Sequence, residues 1–248
     1  MITFDEQQRV FHLKNKEISY LFSVEEGNIL SHLYFGPAIR NYHGERRYPR
    51  VDRGFSGNLP GSMDRTYSKD DLLQEYSGNN TGDYRVPAII IKTENGSRLT
   101  DFRYKSYKIL PGKPKLAGLP ASYVKSDKEA ETLEVTLVDE TIGAQLILSY
   151  TIYNERPVIT RNARLVNTSN QELRIEKIAS VQLDLTKHDY DVISVPGQYA
   201  LERQPERQEL RRGITEFSSR RNSSSHHMNP FVALVDKNTD EFQGNALG

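Results

Sequence analysis

Residues 132–138, TLEVTLV, and 145–153, QLILSYTIY, decide the fold class. In the first, Leu133, Val135 and Leu137 alternate with Thr132, Glu134 and Thr136. In the second, Leu146, Leu148, Tyr150 and Ile152 share one face, while Gln145, Ser149 and Thr151 point the other way. Alternation with a period of two marks antiparallel strands that bury one face and wet the other. The same pattern extends over 171–185, with Leu173, Ile175, Ala179, Val181, Leu183 and Leu185 on one side and Arg174, Glu176, Ser180, Gln182 and Asp184 on the other. Further strands are predicted at 10–14, 18–24, 29–35, 86–92, 98–109, 158–166, 192–195 and 231–236.

Turn residues separate these runs. Glu94-Asn95-Gly96 lies between two strand-like stretches and predicts a hairpin, with Gly96 supplying a positive φ. Residues 167–170, NTSN, predict the same between two long strands. Residues 237–240, KNTD, follow 231–236, so a partner strand is expected from about Gln243, and the chain ends at Gly248 before completing it. An open hairpin leaves an unpaired edge, which suggests a cut within a longer chain. One short helix is predicted at 69–76. Ser68 is its N-cap, Asp71 completes a capping box, and Leu72, Leu73 and Tyr76 form its apolar face. Four long non-periodic stretches remain, at 40–67, 76–85, 110–122 and 196–229. Loops of that length are usually functional or disordered.

Composition narrows the function. The chain has 248 residues, with 33 Lys+Arg against 33 Asp+Glu, no Cys and no Trp. Without Cys, a disulfide scaffold, a thiol nucleophile and Cys-ligated metal or iron–sulfur sites are excluded. The neutral balance provides no global field for nucleic acid. No apolar run approaches the roughly 20 residues that span a bilayer, and the N-terminus has no signal-peptide core. No membrane partner and a cytoplasmic location are therefore expected. Only 36% of residues are hydrophobic, yet there are 14 Tyr. Tyr combines an apolar ring with a polar tip and suits wide, half-wet sheet faces and sugar sites.

Four segments carry candidate chemistry. Residues 45–67 gather Arg46, Arg47, Arg50, Arg53 and Arg65 around Asp52 and Asp64. A carboxylate flanked by guanidiniums can be held ionised and aimed at sugar hydroxyls, or the same charges can simply pin a loop. Residues 76–88 offer Gly78 and Gly82 with Asp83 and Arg85, a poor phosphate cradle that fits a plain turn. At 196–203, Tyr199 sits on a turn beside Glu202 and Arg203, which suits either sugar stacking or ordinary packing. In 218–230, His226 and His227 are adjacent. In a strand they would point to opposite faces and could not chelate one ion, and Ser223–Ser225 lack a positioned base. His12, His32, His43 and His188 have no ligand spacing. No metal or other cofactor is expected. No pair among the 33 acids can be nominated as the two facing carboxyls of a glycosidase.

The loop motifs add a resemblance. PRVDRGFSGN (49–58), MDRTYS (63–68), LLQEY (72–76), TGDYRVPA (81–88), ENGS (94–97), DFRYKSYKIL (101–110), GKPKLAGLPASYV (112–124) and SSSHHMNPFVALV (223–235) resemble, in order and spacing, the N-terminal region of bacterial α-galactosidases of glycoside hydrolase family 36. The resemblance runs from about residue 4 to 248. It implies an all-β chain: an antiparallel β-supersandwich of two large packed sheets occupying 1–248 as one domain, followed in family members by a (β/α)8 barrel and a small C-terminal β domain. The catalytic aspartates of the family belong to that barrel, and no position here matches either. The resemblance further implies an α-galactoside oligosaccharide of the melibiose or raffinose type as substrate, the downstream barrel as partner, and a homotetramer in which sandwich loops close a neighbour's pocket. Asp52 and Arg65 match family positions: the Asp would hydrogen-bond substrate hydroxyls, and Arg65 would contact substrate or only brace Asp52. Tyr199 stands where close relatives carry Trp, whose larger ring stacks on sugar. Two other functions compete: a stand-alone galactoside-binding module and a purely structural oligomerisation domain.

Overall fold

The computed structural model describes residues 1–248 apart from 45–47, 49, 53–56, 60, 80–81, 119–120, 188 and 222. The chain divides into two compact units, Met1–Asp184 and Leu185–Gly248.

The first unit holds three antiparallel ladders. Strands β1 (Ile2–Asp5), β2 (Val10–Lys14), β3 (Ile18–Val24) and β4 (Leu30–Pro37) form a meander in chain order. β5 (Ile89–Thr93) pairs with β10 (Leu173–Ile178). β6 (Arg103–Pro111), β7 (Ala130–Asp139), β8 (Ala144–Tyr153) and β9 (Ile159–Asn167) form a second meander. The two runs that decide the fold class are the centre of this second meander. Leu133 lies opposite Tyr150, Val135 opposite Leu148 and Leu137 opposite Leu146, and all six are buried. They join Phe11, Leu13, Tyr20 and Phe22 of the first meander in one core. Phe22 stacks on Tyr150 with centroids 5.0 Å apart, and Phe11 stacks on Phe22 at 4.8 Å. The architecture is therefore all-β and antiparallel, with two meanders sharing a core as sandwich layers do.

In the second unit, β11 (Asp191–Pro196), β12 (Glu206–Glu209), β13 (Met228–Val235) and β14 (Ala246–Leu247) form a sheet in the order β12-β11-β13-β14. The hairpin expected after residue 236 is present. Leu247 pairs with Leu234 and Ala246 with Val235.

Several expectations are corrected. No helix forms at 69–76. Ser68 does cap a turn, its Oγ accepting from Asp70 N at 3.2 Å. The backbone that would continue a helix is instead claimed by β4: His32 N donates to Leu73 O at 2.6 Å and Glu75 N donates to Leu30 O at 3.3 Å. Nonlocal pairing thus overrides a good local cap. The strand expected over 171–185 ends at Ile178, and within it the β5–β10 register shifts between Ile175 and Lys177. This bulge breaks the alternation, and Ile175 and Val181 are exposed. The turns at 94–96 and 167–170 form, Gly96 with φ of 87°, but the strands on either side of each belong to different ladders. Strands β1 and β12 had no period-two signal long enough to predict them, and β14 is expected only from the turn before it.

Candidate functional site

Asp52 and Arg65 lie 13 residues apart in the chain, and the fold brings them together: Arg65 Nε meets Asp52 Oδ1 at 3.1 Å. Both side chains are more than half exposed. The pair therefore offers a carboxylate to solvent with one oxygen engaged and the other able to accept hydroxyls. The second carboxylate of this segment is held differently. Asp64 accepts from the Thr66 hydroxyl and amide at 2.6 and 2.8 Å, and Arg50 lies 3.1 Å away. Those hydrogen bonds first, and Arg50 after them, hold the Asp64 carboxyl below the usual range.

The segment is anchored by a small core of Ile29, Leu59, Tyr67 and Leu72, with Tyr48 packed against it. Arg50 also lies over the Tyr67 ring, 4.8 Å from its centroid. Arg50 and Asp64 thus brace the loop, while Asp52 and Arg65 remain presented. Arg46, Arg47 and Arg53 lie outside the described residues.

Asp83 and Arg85 are structural. Asp83 is buried and bonded to Arg85 Nε at 2.8 Å and to Gln74 Nε2 at 2.6 Å. Arg85 also pairs with Asp184.

In the second unit, Tyr199 occupies the tip of a tight turn. Gln198 and Leu201 exchange backbone hydrogen bonds of 3.0 and 2.9 Å, and Ala200 between them has φ of 64°. Tyr199 is 84% exposed, so its ring is not used for packing within the described residues. Gly197 is needed at the base of the turn: a Cβ there would stand 2.7 Å from Leu201 O and 2.8 Å from Arg203 N. The turn is braced and the aromatic ring is displayed.

His226 and His227 depart from the expected geometry. They sit in a turn between Ser225 and Met228 rather than in a strand, and their rings lie 4.2 Å apart. Burial first, then His226 and Arg221, lower the His227 pKa. Among the described residues no group of three or more His, Cys, Asp or Glu could hold a metal ion.

Sequence reasoning missed a buried polar cluster of the first unit. Glu75 is fully buried and receives Arg161 Nη1 at 2.8 Å, the Tyr20 hydroxyl at 2.5 Å and His32 Nδ1 at 3.3 Å. Arg161 also donates to the Tyr150 hydroxyl at 3.2 Å. The signal available was an Arg within a predicted strand and an acid inside LLQEY. Their partnership spans 86 residues and leaves no local pattern.

The chain matches the model of the glycosyl hydrolase family 36 N-terminal domain over residues 28–248. It is 51% identical over its whole length to alpha-galactosidase 1 of Pediococcus pentosaceus, of which it covers 34%. It superposes on the crystal structure of the family 36 alpha-galactosidase AgaB of Geobacillus stearothermophilus with a TM-score of 0.93 and 43% identity, covering 99% of this chain and 33% of that one. A variant of AgaA from the same organism, crystallised in complex with raffinose, gives a TM-score of 0.91 and 46% identity over 96% of this chain and 33% of that one. The chain thus spans about a third of the length of the curated relatives it matches.

Proposed function

The chain belongs to the glycosyl hydrolase family 36 N-terminal domain family, and from that premise we propose that it is the non-catalytic N-terminal domain of a retaining α-galactosidase acting on terminal α-galactosyl groups of raffinose- or melibiose-type oligosaccharides. The observation that carries this is the combination of a match spanning both units with coverage of only a third of each relative. Both units together make up the domain, and the bond-breaking aspartates are supplied by a (β/α)8 barrel of the parent polypeptide. The domain contributes to a tetramer and to the rim of the substrate pocket.

Within that role, Asp52 accepts substrate hydroxyls, Arg65 holds its carboxylate in place, and Tyr199 lies against a sugar face. Support comes from the exposed 3.1 Å Asp52–Arg65 pair and from the displayed ring at the 198–201 turn. A phenol offers less stacking area than an indole, so Tyr199 bears on oligosaccharide preference rather than on bond cleavage.

The test is hydrolysis of melibiose and of a nitrophenyl α-galactoside by the purified 248-residue chain, beside its parent polypeptide. No turnover by the chain and turnover by the parent is the expected result. Turnover by the chain alone would overturn the division of labour.

A further inference from the structure

A cleft of about 610 Å³ lies on the solvent-facing side of the β7–β9 sheet, bordered by residues 113–117 and by Ala121 and Ser122. Its volume is that of a small-molecule site. The floor consists of two cross-strand rows. Glu134 is opposite Ser149 and Ser149 opposite Asn162; Thr132 is opposite Thr151 and Thr151 opposite Thr160. Arg164 continues the Thr160 and Asn162 face at the next alternate position.

The wall is anchored at both ends. Thr132 Oγ1 donates to Gly112 O at 2.7 Å, Gly112 N donates to Ala130 O at 2.8 Å, and the Tyr153 hydroxyl donates to Ser122 Oγ at 3.0 Å. Gly112 has φ of 67°, and a Cβ there would collide with Asp127. The cleft is thus built into the fold.

Its charge is unbalanced. Glu134 is neutralised by Lys108 at 2.8 Å, and Arg161 is neutralised by Glu75 at 2.8 Å. Lys113, Lys115 and Arg164 also line the cleft and have no ion-pair partner among the described residues. Ser149, Thr160 and Asn162 likewise leave their polar atoms without described side-chain partners, and no aromatic ring lines the cleft among those residues. Hydroxyl and amide groups suit a polyol, unpaired cations suit an anion, and the missing ring disfavours a neutral sugar held by stacking.

We propose that this cleft binds a hexose monophosphate, with Lys113, Lys115 and Arg164 on the phosphate and Ser149, Thr160 and Asn162 on the sugar hydroxyls. The cleft shares no lining residue with Asp52, Arg65 or Tyr199 and does not depend on the α-galactosidase reading.

Calorimetric titration of the chain with galactose 1-phosphate, glucose 6-phosphate, inorganic phosphate and galactose tests it, with amide chemical shifts locating the response. Expected are binding of a hexose phosphate that weakens with salt, shifts at 113–116 and 160–164, and affinity at least about tenfold above that of inorganic phosphate. The Lys113→Gln, Arg164→Gln double variant should lose at least about tenfold in affinity with an unchanged melting temperature. Asn162→Ala should weaken the hexose phosphate and leave inorganic phosphate unaffected. No binding of either hexose phosphate, equal binding of inorganic phosphate, equal binding of galactose, or shifts confined elsewhere would each overturn the proposal.

Discussion

Replacing Arg161 by Met asks how strongly the first unit depends on its buried ion pair. Arg161 is almost fully buried and, among the described residues, gives Glu75 its only fixed positive charge, at 2.8 Å. The same guanidinium donates to Tyr20 Oη at 2.9 Å, Gln182 O at 3.0 Å and Tyr150 Oη at 3.2 Å. It thereby links β3, β8 and the segment after β10. Met fills similar volume without charge, so Glu75 would be left ionised and buried beside His32. Breaking a buried pair in this way costs about 3–5 kcal/mol. For a domain of this size that lowers the melting temperature by on the order of 6–20 °C. With no Trp in the chain, far-UV circular dichroism is the suitable probe, by heat and by urea. A second arm separates a stranded charge from lost packing. The Glu75→Gln, Arg161→Met double variant removes both charges and should recover about half or more of the loss.

The pH dependence supplies a third arm. Burial alone would raise the Glu75 carboxyl, but Arg161 and the hydrogen bonds from His32 and Tyr20 bring it below the ordinary glutamate value. A depressed folded-state pKa contributes stability above the unfolded value, lost as pH falls through the folded one. In Arg161→Met, burial prevails and the folded pKa rises, so the sign reverses and the variant's deficit narrows on acidification. A single-variant loss below about 1 kcal/mol, or a deficit that widens at low pH, would refute this account.

Other tests concern the sites and the sandwich core. Asp52→Ala should change stability by less than about 1 kcal/mol, since the pair it breaks is more than half exposed; in the parent enzyme it should raise KM for raffinose, as steady-state kinetics will register. Gly197→Ala should destabilise the second unit by about 1–3 kcal/mol through the clash with Leu201 O, whereas Tyr199→Ala should stay within about 0.5 kcal/mol; hydrogen exchange on β11–β13 distinguishes them. Leu146→Ala, at the centre of the sandwich core, should cost about 2–5 kcal/mol in urea unfolding. His12 has its pKa lowered to about 4 by burial, then by Lys14 and the N-terminus. Folding must exclude its proton, so stability should rise with pH between about 4 and 6.5 and level off above; Tm against pH for the wild type and His12→Gln will show whether that slope belongs to His12.

Much of the sheet content was legible because one-sided burial imprints a period of two. The strands at 10–14 and 18–24 coincide with β2 and β3, and the long runs near 132–153 with β7 and β8. What failed were features set by distant partners. Ser68 and Asp71 are a sound local capping pattern, yet residues 73–75 pair with β4 instead. The turn at Gly96 was visible, but β5 pairs with β10, some 80 residues later, and not with the strand that follows it. A turn signal reports that the chain reverses; it contains nothing about which sheet receives the next strand.

The candidate site divides in the same way. The Arg and Asp clustering in 45–67 and the aromatic at 199 could be nominated from residue types. The resemblance already implied that Arg65 could brace Asp52, but the pairing of Asp64 with Arg50 came only from the fold, because five Arg and two Asp in one loop permit many pairings of similar energy.

Sequence alone thus determined the all-β class, the neutral surface and the family of this chain, because alternation, composition and motif order are local or additive properties. Tertiary structure alone decided the strand order, the buried Glu75–Arg161 pair and the cationic cleft lined by Lys113, Lys115 and Arg164. Each of these depends on groups far apart in the chain becoming neighbours in a low-dielectric or concave setting. Their energies exist only after that approach.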